Sequence, residues 1–160
     1  MAELEPIHEK YGEVLGLAQA AQTATDRVAK LAEGEPEVRR LLERMHEEAG
    51  ETRRRCEDGL SAFEGRKTAI EEKARETRHE AEQMLETYLG GDSDALDGFE
   101  FLTMAEAGEL GHWEILHTMN ERAGDATIRE LTDFAIPIQA RHFQDVRECS
   151  LRLAREEVAA

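Results

Sequence analysis

Glu106, Glu109 and His112 recur at intervals of three, and Gln139 and His142 repeat that interval further along the chain. In an α-helix this spacing puts side chains on one side. Here it is the side that also carries Phe99, Leu102 and Trp113. A carboxylate on an apolar stripe is costly to bury alone and calls for a partner or a cation. Helical bundles hold metals with Glu-x-x-His pairs, and Gln139 to His142 has that form with a neutral amide in place of the acid. Glu48, between Met45 and Thr52, is the best-placed third carboxylate, whereas Glu43-Arg44-Met45-His46 spells the motif on a less suitable face. The candidate metal ligands are therefore Glu48, Glu106, Glu109 and His142. Their oxygen and nitrogen donors suit iron or manganese.

A carboxylate-bridged two-metal centre needs a Glu from two helices and Glu-x-x-His from two more. This chain offers Gln19 and Gln22 near the first helix's stripe and Gln139 in the last, so it falls short. Two readings stay open. Either one metal is held, or Glu106 and His142 form a charge-assisted pair completed by Gln139, with no metal. His8, His46, His79 and His117 read as solvated, and Tyr11, Trp113 and Phe134 as core. No catalytic residue stands out.

The elements that must position these groups are helices. Apolar residues at Ile7, Tyr11, Val14, Ala18, Ala21, Val28 and Leu31 predict a first helix over 6–32, opened by Pro6 and ended by Gly34. A second starts at Pro36 and runs to Phe63, with Gly65 interrupting. From Arg66 to Leu89 the pattern is helical but polar, which predicts a crossover along the outside. Gly90-Gly91-Asp92-Ser93-Asp94 is a break with its own cap, after which a third bundle helix covers 95–122. Gly124-Asp125 turns the chain into a fourth, where Pro137 predicts a kink or break. Short turns make antiparallel neighbours, so residues 1–160 read as one all-α domain. Its form is an antiparallel four-helix bundle with a long helical crossover between the second and third bundle helices, the ferritin-like connectivity. Across the Ala123–Asp125 turn, Glu106 should lie level with His142, and Glu109 with Gln139.

Composition narrows the function. A net charge of −16 repels a phosphate backbone, and the basic run Arg53-Arg54-Arg55 is flanked by Glu51, Glu57 and Asp58, so no nucleic-acid partner is expected. No run approaches a membrane span and the start lacks a signal peptide's pattern, which predicts a cytoplasmic protein without a membrane partner. Cys56 and Cys149 read as buried apolar residues. A homodimer is the expected assembly, because two-fold dimers dominate soluble oligomers.

These residues also carry a likeness. Ala18-Gln19, Glu35-Pro36-Glu37-Val38-Arg39, Glu47-Glu48, Gly65-Arg66-Lys67-Thr68 through Ile70-Glu71-Glu72, and Glu106-Ala107-Gly108-Glu109 together resemble the ferritin-like family typified by YciE and YciF. The resemblance spans nearly the whole chain and implies a bacterial, stress-associated bundle protein. It supports Glu48, Glu106 and Glu109 as ligands. It also implies that Gln19 and Gln139 stand where the family places Glu, and Thr52 where it places His, so that any metal site is reduced.

Overall fold

The computed structural model describes residues 3–159, which hold helices and turns and no strand. The helices are α1 (Pro6–Leu31), α2 (Pro36–Gly59), α3 (Lys67–Tyr88), α4 (Ala95–Ala123) and α5 (Ala126–Ala159). Pro6 and Pro36 sit in the first turns of α1 and α2, where a missing N–H costs nothing. Asp94 and Asp97 cap α4 reciprocally, each carboxylate accepting from the other residue's backbone N–H at 3.0 Å. Gly124 ends α4 at φ 67°, and Gly65 precedes α3 at φ 79°. Both conformations favour glycine.

Two boundaries differ from the sequence reading, and the local break expected at Pro137 is absent. α1 ends at Leu31 with Ala32 as its cap, and Gly34 does not adopt a left-handed conformation. α2 stops at Gly59 and tightens into a single 3-10 turn, Leu60–Ala62. There the Tyr11 hydroxyl donates to the Cys56 carbonyl at 2.6 Å, taking up an acceptor that a further helical turn would use. α5 passes through Pro137 as one helix. The proline affects one carbonyl, while Ala135 and Gln139 on either side are held in the core.

α1 packs on α2 and on α4, and α5 packs on the same two, so four helices close a ring with α3 outside it against α1. α3 comes close because α1 presents glycines. A Cβ on Gly16 would stand 2.4 Å from the Ala74 carbonyl oxygen, and one on Gly12 would stand 2.9 Å from that of Ile70. The crossover thus lies along the outside, as its polarity requires.

The core has two apolar clusters. One gathers Val28, Leu42, Met45, Phe99, Leu102 and Val146, the other Tyr11, Leu15, Cys56, Trp113, Leu116 and Ile128. Along α4, Glu106 and Glu109 fall between Leu102 and Trp113; along α5, Gln139 and His142 fall between Ala135 and Val146. A polar layer therefore crosses the middle of the bundle. No described helix is long and apolar enough to cross a membrane.

Candidate functional site

The layer is built by helical spacing on two neighbours joined by a tight turn. Asn120 secures that turn, with its amide donating to the Asp125 carbonyl and its oxygen accepting from the Asp125 N–H, both at 2.9 Å. From this anchor the residues of α4 and α5 meet level by level. Glu106 and His142 are each 2 % exposed, and Glu106 Oε2 lies 3.7 Å from His142 Nδ1. Glu109 and Gln139 are equally buried. The expected facing of Glu106 and His142 is thus present in the fold.

Glu48 reaches the same imidazole from α2. Its Oε1 is 3.3 Å from His142 Nε2, and its other carboxylate oxygen accepts from the Arg141 guanidinium. Arg44 lies 3.8 Å away on its own helix. Burial pushes the Glu48 carboxyl up, but hydrogen bonds from Arg141 and His142 outweigh this and hold it below the ordinary value. Glu109 behaves oppositely. Burial, first, and the adjacent Glu106 charge push its carboxyl well above the ordinary range.

The four candidate ligands are thus near one another without converging. His142 stands between the carboxylates, with Nδ1 toward Glu106 and Nε2 toward Glu48, so a single ion cannot touch all three while the ring keeps this position. Among the described residues, no group of three or more His, Cys, Asp and Glu side chains is arranged to hold a metal ion.

What sets the layer apart is unmet hydrogen-bonding capacity. Of seven buried side-chain atoms without a partner among the described residues, five belong here: Glu106 Oε2, Glu109 Oε1, Trp113 Nε1 and both amide atoms of Gln139. Buried polar atoms are ordinarily satisfied, so a concentration of orphans marks a place for water, a proton or an ion. A cavity of about 40 Å³ borders Glu106 and Glu109, walled by Leu17, Ala20, Ala24, Leu85 and Phe101. That space suffices for an ordered water or a small ion.

Other residues singled out by spacing lie elsewhere. His112 is at the α1 edge, with Nδ1 3.0 Å from Lys10 Nζ and 3.3 Å from Glu13. Burial and Lys10 lower its pKa. Gln19 lines a surface groove with Glu57, Lys67 and Glu71. His46 is held by the Gln22 carbonyl, Thr25 and Asp26. His8, read as solvated, is buried, 5.3 Å ring to ring from Phe63. Arg141 was not singled out by the sequence pattern, because it follows the exposed side of α5 and nothing in its spacing signals Glu48 on α2. Compared with protein-family models, curated proteins and solved structures, the chain finds no match.

Proposed function

We propose that this chain is a ferritin-like bundle protein of a bacterial stress response whose polar layer is a reduced carboxylate/histidine metal site. The observation that carries this reading is the set of orphaned atoms on Glu106, Glu109 and Gln139, with the two carboxyls bordering a small cavity. By charge, though not in their present side-chain positions, the residues of the layer suit one divalent ion. Arg141 and Arg44 attend Glu48, which leaves Glu106 and Glu109 as the carboxylates without a cationic side chain of their own. Two negative charges match one such ion and not two. Glu106, Glu109 and the Gln139 amide oxygen would hold it, with His142 and Glu48 as further donors. Hard donors of this kind favour iron or manganese, which when bound would supply one-electron oxidation chemistry. The chain's own part is to keep the site dry between two apolar clusters and to let Glu109 give up its proton when a cation arrives.

In this reading the protein is cytoplasmic and homodimeric, and its charge of −16 supports the absence of a nucleic-acid partner. The test is metal analysis of protein purified without a histidine tag and incubated anaerobically with ferrous iron. About one equivalent per chain is expected, and Glu106→Ala should abolish it. Metal at background level in the unaltered protein would overturn the reading.

A second reading has its own support. His142 already lies between two carboxylates, Glu48 at 3.3 Å from Nε2 and Glu106 at 3.7 Å from Nδ1, a charge-assisted arrangement that needs no metal. The bundle is then non-catalytic and works through its surface. Under it, Glu106→Ala leaves metal content unchanged and lowers stability.

A further inference from the structure

The outward face of α4 has a pattern that the core does not use. Asp97, Met104, Gly108, Gly111, Ile115 and Arg122 follow one another at intervals of seven, four, three, four and seven residues. That spacing keeps to a single stripe of the helix. It lies opposite the buried Leu102, Glu106, Glu109 and Trp113. Met104 is 49 % exposed and Ile115 45 %. A Cβ on Gly108 or Gly111 would meet nothing within 4 Å, so no neighbour among the described residues requires a glycine at either position. Mid-helix glycines destabilise a helix relative to alanine. Here that cost has no return inside the molecule.

The intervals read the same in both directions, and the chemistry follows them. About the midpoint of the stripe, Gly108 mirrors Gly111, Met104 mirrors Ile115, and Asp97 mirrors Arg122. An antiparallel copy would therefore set apolar against apolar, bare backbone against bare backbone, and acid against base at both ends. That is the self-complementarity of a two-fold interface, where residue i meets j and j meets i. Charge also selects the occupant. Two copies each carrying −16 repel over most of their surfaces, but from Met104 to Ile115 this stripe is uncharged in a chain that is 35 % charged. Glu100, Glu114 and Glu121 stay on its rim.

We propose that the outer stripe of α4 is the face on which two copies of this chain associate, antiparallel, centred on Gly108 and Gly111. The proposal gives the homodimer named above its contact surface, and it is independent of the metal site. Cysteine pairing tests it on the full chain. In the antiparallel register Met104 of one copy lies beside Ile115 of the other, whereas the two copies of Met104 are about 16 Å apart along the axis. Met104→Cys and Ile115→Cys proteins are mixed dilute and reduced, reconcentrated, and treated with oxidised glutathione. A covalent pair should form in the mixture and in neither variant alone; Cys56 and Cys149 are buried and should not compete. Gly111→Glu should keep its helical circular dichroism while light scattering shows a monomer. A monomeric unaltered protein at several hundred micromolar overturns both face and homodimer. A dimer that fails to cross-link in the mixture, cross-links through Met104→Cys alone, or survives Gly111→Glu overturns the face and leaves the homodimer standing.

Discussion

The two faces of α4 reverse the usual assignment of side chains to environments. Its buried face holds two carboxyls, Glu106 and Glu109, between Leu102 and Trp113, while its outer face offers Met104, Gly108, Gly111 and Ile115 to water. α3 is ordinary by comparison: it buries Ile70, Ala74 and Leu85 and turns its charges outward. The proposed metal layer and the proposed dimer face both fall on this helix, which departs from pattern on both its faces. Glycine sharpens the contrast. On α1, Gly12 and Gly16 are explained by the backbone of α3 lying on them, but Gly108 and Gly111 have no such neighbour among the described residues.

The largest expected effect is at a covered glycine. Gly16→Ala sets a Cβ against the Ala74 carbonyl and should cost about 3 kcal/mol in urea unfolding, because backbone must move. Next comes the inner face. Glu106→Ala should lower stability by about 2 kcal/mol by stranding His142 on one side. An unchanged denaturation midpoint would mean that the pair contributes nothing.

Glu109→Gln tests the raised carboxyl by its pH dependence. The folded pKa lies above the usual 4.5, so its contribution to stability is fully present below that value and lost as pH rises through the folded pKa. Glutamine keeps the shape and cannot ionise. The variant should match the parent near pH 4 and exceed it by about 1 kcal/mol at neutrality. A constant difference across pH would show that Glu109 titrates normally. The smallest effect is on the outer face. Gly108→Ala should raise the folding stability of the subunit by about 0.5–1 kcal/mol, since alanine is the better helix former and its methyl meets nothing. A loss there would show a neighbour where the fold has none.

Much of this arrangement was legible in residue order. Pro6, Pro36, Gly65, the Asp94 cap and Gly124 act locally, so the helices they bound could be placed without knowing the tertiary fold. The meeting of Glu106 with His142 was legible for a related reason. A tight turn fixes the level of two antiparallel helices, and the count from the turn then locates their partners. Glu48 was found by its place between Met45 and Thr52, but its contact with Arg141 was not. α2 and α5 share no turn, and their relative height depends on the crossover and on packing. Gln19 illustrates the same gap: it is half-buried beside the α1 stripe but belongs to the α3 side, a side the pattern of α1 alone does not reveal. The outer stripe of α4 went unread because its glycines become unusual only when no neighbour is found to cover them.

The polar layer also bears on how the helices are indexed against one another. Clusters made of Leu, Val, Phe and Ala tolerate a slide of one helical turn, since apolar side chains still meet apolar side chains. The layer does not. A one-turn shift of α4 along α5, in either direction, takes one of the two carboxyls away from Gln139 and His142 and brings it level with Ala135 or Val146. A carboxyl moved there loses one of its partners in the layer and sits level with an apolar side chain, and the cost of that is large beside the small differences between apolar packings. The four polar side chains therefore act as a tooth between two smooth surfaces, setting the register of the bundle whether or not a metal ever binds among them.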